Sequence, residues 1–182
     1  IKDIRSLGSW IGTQFDPQLD WKEVDWIRKR WGGKLIIKGI LDAEDAVLAA
    51  KTGADAIIVS NHGGRQLDGA SSTINILPEI VDSVGKLIEV HLDGGIRSGQ
   101  DVVKAMCLGA KGTYIGRAFL YGLGALGKKG VTKTLEIIKT EADMKEKKGA
   151  LKKEKKDKKK KKKAKDSDHI SSMSDNSMYT ED

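Results

Sequence analysis

Three stretches of this 182-residue sequence combine side chains that could do chemistry with glycines that would let a ligand approach the backbone. The densest is Ser60-Asn61-His62-Gly63-Gly64-Arg65-Gln66-Leu67-Asp68. An imidazole can accept a proton near neutral pH, and a guanidinium can grip a carboxylate through two parallel hydrogen bonds. A base and an anion clamp on one loop, directly after the apolar run Ala56-Ile57-Ile58-Val59, are what oxidation of a hydroxy acid requires. The second stretch is Asp93-Gly94-Gly95-Ile96-Arg97-Ser98-Gly99, with Gly116-Arg117 further along the chain. Glycine turns that lead into helices offer backbone N–H groups to phosphate, and Arg97 and Arg117 add charge, so this pair suggests a phosphorylated cofactor. The third is Lys38, behind Leu35-Ile36-Ile37, where a cation at a strand end could stabilise an electron-rich ligand. His91, inside an apolar run, reads instead as a core or interface residue. Cys107, between Met106 and Leu108 on a helical pattern, reads as packing. No paired Cys/His spacing suggests a metal site.

These residues need a scaffold that brings them to one place. Apolar, β-branched runs at 34–38, 56–60, 87–92 and 112–116 predict four buried parallel strands. Helical patterns at 43–52, 74–84 and 99–108 fall between them, with further helices at 21–30, 119–126 and 131–140. Such alternation means β/α units joined by crossovers. The phrases Thr52-Gly53-Ala54-Asp55 and Leu108-Gly109-Ala110-Lys111 recur at helix-to-strand joints, where glycine would supply a left-handed cap. All three chemical stretches then lie at the C-terminal ends of strands, the face on which β/α barrels gather their sites. The expected fold is α/β: four β/α units, the C-terminal half of a TIM (β/α)8 barrel. Residues 1–33, with Trp10, Trp21, Trp26 and Trp31, do not supply four more strands. A missing N-terminal half, an open sheet edge and an exposed core face are therefore expected.

The formal charge of +7 is unevenly placed. Residues 145–165 carry 14 Lys against Glu146, Glu154 and Asp157, and residues 166–182 carry five acids and no base, which leaves residues 1–144 at +1. The sequence thus divides into a partial barrel at 1–144, whose partner need not be a polyanion, and a low-complexity tail at 145–182, expected to be disordered. A single cysteine, no long apolar run and no basic-then-apolar leader fit a cytoplasmic protein, with peripheral membrane association as the alternative placement.

The segment Ser60-Asn61-His62-Gly63-Gly64-Arg65-Gln66-Leu67-Asp68-Gly69, the turn Asp93-Gly94-Gly95-Ile96-Arg97 and the ending Gly116-Arg117-Ala118-Phe119 closely resemble the FMN-dependent α-hydroxy acid oxidases and dehydrogenases, which include glycolate oxidase and L-lactate dehydrogenase. The likeness runs from about Ser6 to Thr140. It implies oxidation of a small (S)-2-hydroxy acid of the lactate or glycolate class to the 2-oxo acid. It further implies FMN as cofactor, His62 as catalytic base and substrate contact, Arg65 as ligand of the substrate carboxylate, and Lys38 beside the flavin ring. Ser60, Asp93, Gly94, Gly95, Arg97, Gly116 and Arg117 complete the cofactor-binding set that it implies. The electron acceptor would be oxygen, a cytochrome or quinone, and a family-like homo-oligomer would require a complete barrel.

The sequence departs from the family pattern in lacking its N-terminal half and in turning Lys-rich after about Glu141, and on both counts the chain alone is expected to be inactive. The alternatives are an inactive remnant, a nucleotide-binding barrel of the IMP dehydrogenase kind, and an unspecific polyanion-binding module acting through the lysines. The second would need a cysteine on an active loop rather than Cys107 in a helix. For the third, nothing interleaved among the lysines predicts specific recognition of nucleic acid.

Overall fold

The computed structural model describes residues 8–10, 12–14 and 18–174. In chain order its elements are α1 Trp21–Trp31, β1 Ile36–Ile40, α2 Ala43–Lys51, β2 Ala56–Val59, a tight turn His62–Gly64, α3 Thr73–Val84, β3 Glu89–Asp93, α4 Gly99–Cys107, β4 Gly112–Tyr114 and α5 Arg117–Ser174. They fall into two compact units, one of Ile1–Gly95 with Ala105–Ile115 and one of Ile96–Lys104 with Gly116–Asp182.

The first unit is built on a four-stranded sheet of order β1-β2-β3-β4, every neighbouring pair parallel. β2 is buried along its whole length, as a central parallel strand covered on both faces should be. Val90 and Leu92 point into the core, which Ala46 and Ala49 of α2 and Leu77, Ile80 and Val84 of α3 complete. The α3 residues recur at helical spacing, and each such side chain removed from water contributes roughly 1.5–3 kcal/mol. α2 starts where the Asp42 carboxylate accepts from the N–H groups of Glu44 and Asp45. Both outer strands lie at sheet edges: Ile36 on β1 is 46% exposed and Tyr114 on β4 is 39% exposed. That is the open edge and uncovered face expected of four β/α units, half the number that closes a barrel.

The two repeated phrases cap helices as predicted. Gly53 and Gly109 have φ of +76° and +103°. At each joint the glycine N–H and the next N–H bond back to helix carbonyls, Gly53 to Ala50 and Ala54 to Ala49, then Gly109 to Met106 and Ala110 to Ala105. These are paired Schellman closures, and they aim the chain straight into β2 and β4. Strand β1 differs from its expectation. It begins at Ile36 and passes through Lys38 to Ile40, because Gly39, at φ +103°, forms a bulge between the pairs Lys38↔Ile58 and Ile40↔Val59.

In the second unit α5 breaks at Leu126 and Gly127, so that 117–125 and 128–174 are separate helical runs. A carbon added at Gly130 would collide with the carbonyl of Gly122, so these two glycines let the runs cross in backbone contact. The backbone of 145–174 continues the helix. Lysine, alanine and glutamate are good helix formers, and extending a helix that already exists needs no new nucleus. Residues 175–182 of the expected tail lie outside the described residues. Among the described residues no helix is long and apolar enough to cross a membrane.

A side chain at Gly109 would have to adopt φ +103° and would meet Val81 Cγ1 at 2.6 Å. Gly109→Ala should therefore cost about 2 kcal/mol. Urea unfolding checks this through a lowered midpoint at unchanged slope; an unchanged midpoint would show that the joint before β4 tolerates the substitution.

Candidate active site

The site grows from the ends of three adjacent strands of the first unit. The parallel register sets Lys38 on β1 beside Ile58 on β2, so that the residue just past β2, Ser60, comes level with the bulged end of β1. Asp93 closes β3 alongside. Lys38 Nζ lies 2.8 Å from Asp93 Oδ2 and donates to Ser60 Oγ at 3.0 Å, while Ser60 Oγ donates to the same Asp93 oxygen at 3.0 Å. Ser60 Oγ also accepts from the N–H of His62 at 3.2 Å. One hydroxyl has one proton and two lone pairs, and all three are engaged here. Ser60 is 2% exposed, so an unmet partner would be costly, and the three strand ends and the His62 turn are tied through one oxygen.

Burial opposes ionisation of Asp93, but the hydrogen bonds from Lys38 and Ser60 and the lysine charge outweigh it and hold the carboxyl below the usual carboxylate range. With the value lowered in the folded state, the stabilisation by this group is present above the ordinary carboxylate range. It is lost as pH falls through the lower, folded-state value.

The turn after Ser60 is wound the unusual way. His62, Gly63 and Gly64 have φ of +56°, +71° and +71°. Among the described residues His62 is the one non-glycine with positive φ, a conformation that costs an L-residue about 1 kcal/mol. The turn is held by the Asn61 side chain, which accepts from the Gly63 N–H at 3.1 Å and donates to the Ser71 carbonyl at 3.3 Å. Gly64 N–H donates to the Asn61 carbonyl at 3.0 Å. At the end of β3, the Thr73 hydroxyl donates to the Gly94 carbonyl at 3.4 Å, which joins that turn to the start of α3.

A cleft of about 730 Å³ opens here, lined by Lys38, Ser60, Asn61, His62, Gln66 and Leu67 among others. Lys38, Ser60 and His62 are thus brought together on one cleft, with Asp93 paired to the lysine. Arg65 lies on the same loop, exposed and outside the lining. Gly94 and Gly95 continue from Asp93 with φ of +98° and +79°. Arg97, Gly116 and Arg117 belong to the second unit. There the N–H groups of Arg97 and Ser98 each donate to Asp101 Oδ2 at 3.1 Å, and the N–H of Gly99 donates to Glu141 Oε2 at 2.9 Å. Burial raises the Asp101 carboxyl, but the bonds from Ser98 and Arg97 together bring it below its usual range.

Sequence reasoning missed the separate work of Asn61. Its signal was available, since asparagine ahead of two glycines is a favoured local cap. His91, expected to pack, sits between Glu89 Oε2 at 3.0 Å and the Tyr114 hydroxyl at 3.1 Å. Cys107 is exposed.

A family model described as FMN-dependent dehydrogenase matches residues 2–149. The chain belongs to that family. L-lactate dehydrogenase of Caulobacter sp. (strain K31) is 55% identical over 132 residues, 72% of this chain and 35% of that protein. L-lactate dehydrogenase of Serratia proteamaculans (strain 568) is 56% identical over the same shares. The crystal structure of mandelate oxidase with benzoyl-formic acid is 47% identical with a TM-score of 0.67, covering 68% of this chain and 37% of that chain. The chain therefore spans about a third of the length of the curated relatives it matches.

Because His62 carries positive φ, His62→Gly should relieve about 1 kcal/mol of strain while the freer unfolded chain costs nearly as much, so that stability changes little even as the imidazole is lost. A urea midpoint close to that of the unmodified chain is expected; one lowered by more than about 1 kcal/mol would show that the imidazole supports the fold.

Proposed function

We propose that this chain contributes the base, the anion clamp and part of the cofactor contacts to an FMN-dependent oxidation of a small (S)-2-hydroxy acid, of the lactate or glycolate class, to the 2-oxo acid. The observation that carries this reading is the Lys38–Ser60–Asp93 cluster with His62 on the same cleft. It puts a cation and a proton acceptor within one loop and one strand end of each other. Relatives named L-lactate dehydrogenase and a solved relative named mandelate oxidase support the substrate class.

The donor set fits the group. Lys38 offers a cation at the cleft for the electron-rich ring. Gly95 offers open backbone, since a carbon added there would meet nothing within 4 Å, whereas one added at Gly94 would press on Asn61 Oδ1 and Thr73 Oγ1 at 3.3 Å. The guanidinium groups of Arg97 and Arg117 are suited to a phosphate, the N–H groups of Arg97, Ser98 and Gly99 being engaged by Asp101 and Glu141, and Ser60 and Asp93 are suited to polar contacts along the linking chain. When bound, FMN supplies the two-electron acceptor. The protein's own part is positioning and proton transfer. Arg65, free at the surface of the loop, turns to the substrate carboxylate, and the His62 imidazole accepts the proton from the substrate. The hydrogen bond to Ser60 fixes the backbone of the left-handed turn from which the imidazole extends, and through Ser60 ties it to Lys38. Oxygen, a cytochrome or quinone would take the electrons onward.

The test is the visible spectrum of the chain expressed alone and together with a family-type N-terminal half. The paired sample should be yellow with FMN and bleached by anaerobic L-lactate or glycolate, whereas the chain alone should not bleach. His62→Ala should keep the colour and slow bleaching by at least about a hundredfold, and Arg65→Met should chiefly raise KM. A paired sample that folds but stays colourless with FMN supplied would overturn the cofactor reading.

A further inference from the structure

We propose that the lysine-rich end of α5 binds the phosphate backbone of double-stranded nucleic acid without reading its sequence. The family match stops at residue 149, so the chemistry of the cleft does not account for the residues beyond it. Residues 145–165 carry 14 Lys against three acids, and residues 152–165 contain only Lys, Glu, Asp and Ala. The backbone of this stretch is helical. Six consecutive positions, Lys158 to Lys163, each about 100° from the last, occupy the whole circumference of a helix whatever its rotation about its axis. At 1.5 Å per residue, residues 145–165 extend about 30 Å, close to one turn of duplex.

That distribution separates two anionic surfaces. A lipid bilayer is flat, meets one side of a rod and favours helices with an apolar face; between Leu151 and Ile170 the one apolar residue is Ala164. The major groove of a duplex admits a helix and carries phosphates along both walls, so a rod with lysine positions all round presents cations to both walls whatever its rotation. Lysines four apart repel one another in the free helix, and phosphates relieve that repulsion. The driving force is release of condensed counterions, and with no Arg, Asn, Gln or aromatic residue in 152–165 the contacts select no sequence.

The experiment is fluorescence anisotropy of a labelled duplex of about 20 base pairs against the full chain, from about 50 to about 200 mM salt. Binding should weaken at least about a hundredfold across that range. Replacing Lys158 to Lys163 by Gln, which preserves helix propensity, should flatten the plot of log affinity against log salt by about 3 to 5. The double variant Glu154→Gln, Asp157→Asn should bind more tightly. No binding at the lowest salt would overturn the proposal. So would an unchanged slope in the Gln variant, a preference of more than about tenfold between duplexes of unrelated sequence, or tighter binding to vesicles containing about 30% phosphatidylserine.

Discussion

The contact on which the site depends is the one between Lys38 and Asp93, closed by the Ser60 hydroxyl. Lys38 stands on β1, Ser60 comes just after β2 and Asp93 ends β3, so one ion pair and two hydrogen bonds bind three consecutive strand ends at their C-terminal face. The pair is a surface pair in part, and by itself such a pair would contribute little to stability. Its importance is geometric. A fully used hydroxyl links the cation to the backbone of His62, the point from which the imidazole extends.

Two local departures from regular structure make this arrangement possible. The bulge at Gly39 lets β1 slip by one residue before Ile40 re-enters the register, so Lys38 is followed by a strand residue rather than by a free end. The left-handed turn at His62 costs free energy that no packing in the hydrophobic core recovers, and it is retained by hydrogen bonds that its N–H groups donate to the Ser60 hydroxyl and the Asn61 side-chain oxygen. Strain held by a polar network beside a cleft is a recurrent property of functional loops, whereas the buried faces of β2, α2 and α3 show none.

Much of this was legible from the residues. Alternation of β-branched runs with helical spacing gave four parallel units, and Gly53 and Gly109 marked the helix-to-strand joints, because glycine is the residue a left-handed cap selects. His62, Ser60 and Lys38 were recognisable as candidates from their places after apolar runs. The bulge was not, since a glycine in a strand signals some irregularity without saying which neighbour shifts. The Asn61 contact to Ser71 and the hold of Asp93 on Lys38 join residues 10 and 55 positions apart, which no local pattern encodes.

Titration of the Asp93 carboxyl, followed by carbon-13 NMR in the protein and in Ser60→Ala, tests whether one hydroxyl organises the three strand ends and the histidine turn. Asp93 should titrate below the ordinary carboxylate range in the unmodified chain and move upward when the hydroxyl is removed. The His62 amide resonance should shift in the same variant. An Asp93 that titrates at the ordinary value, or one indifferent to Ser60, would contradict this organising role.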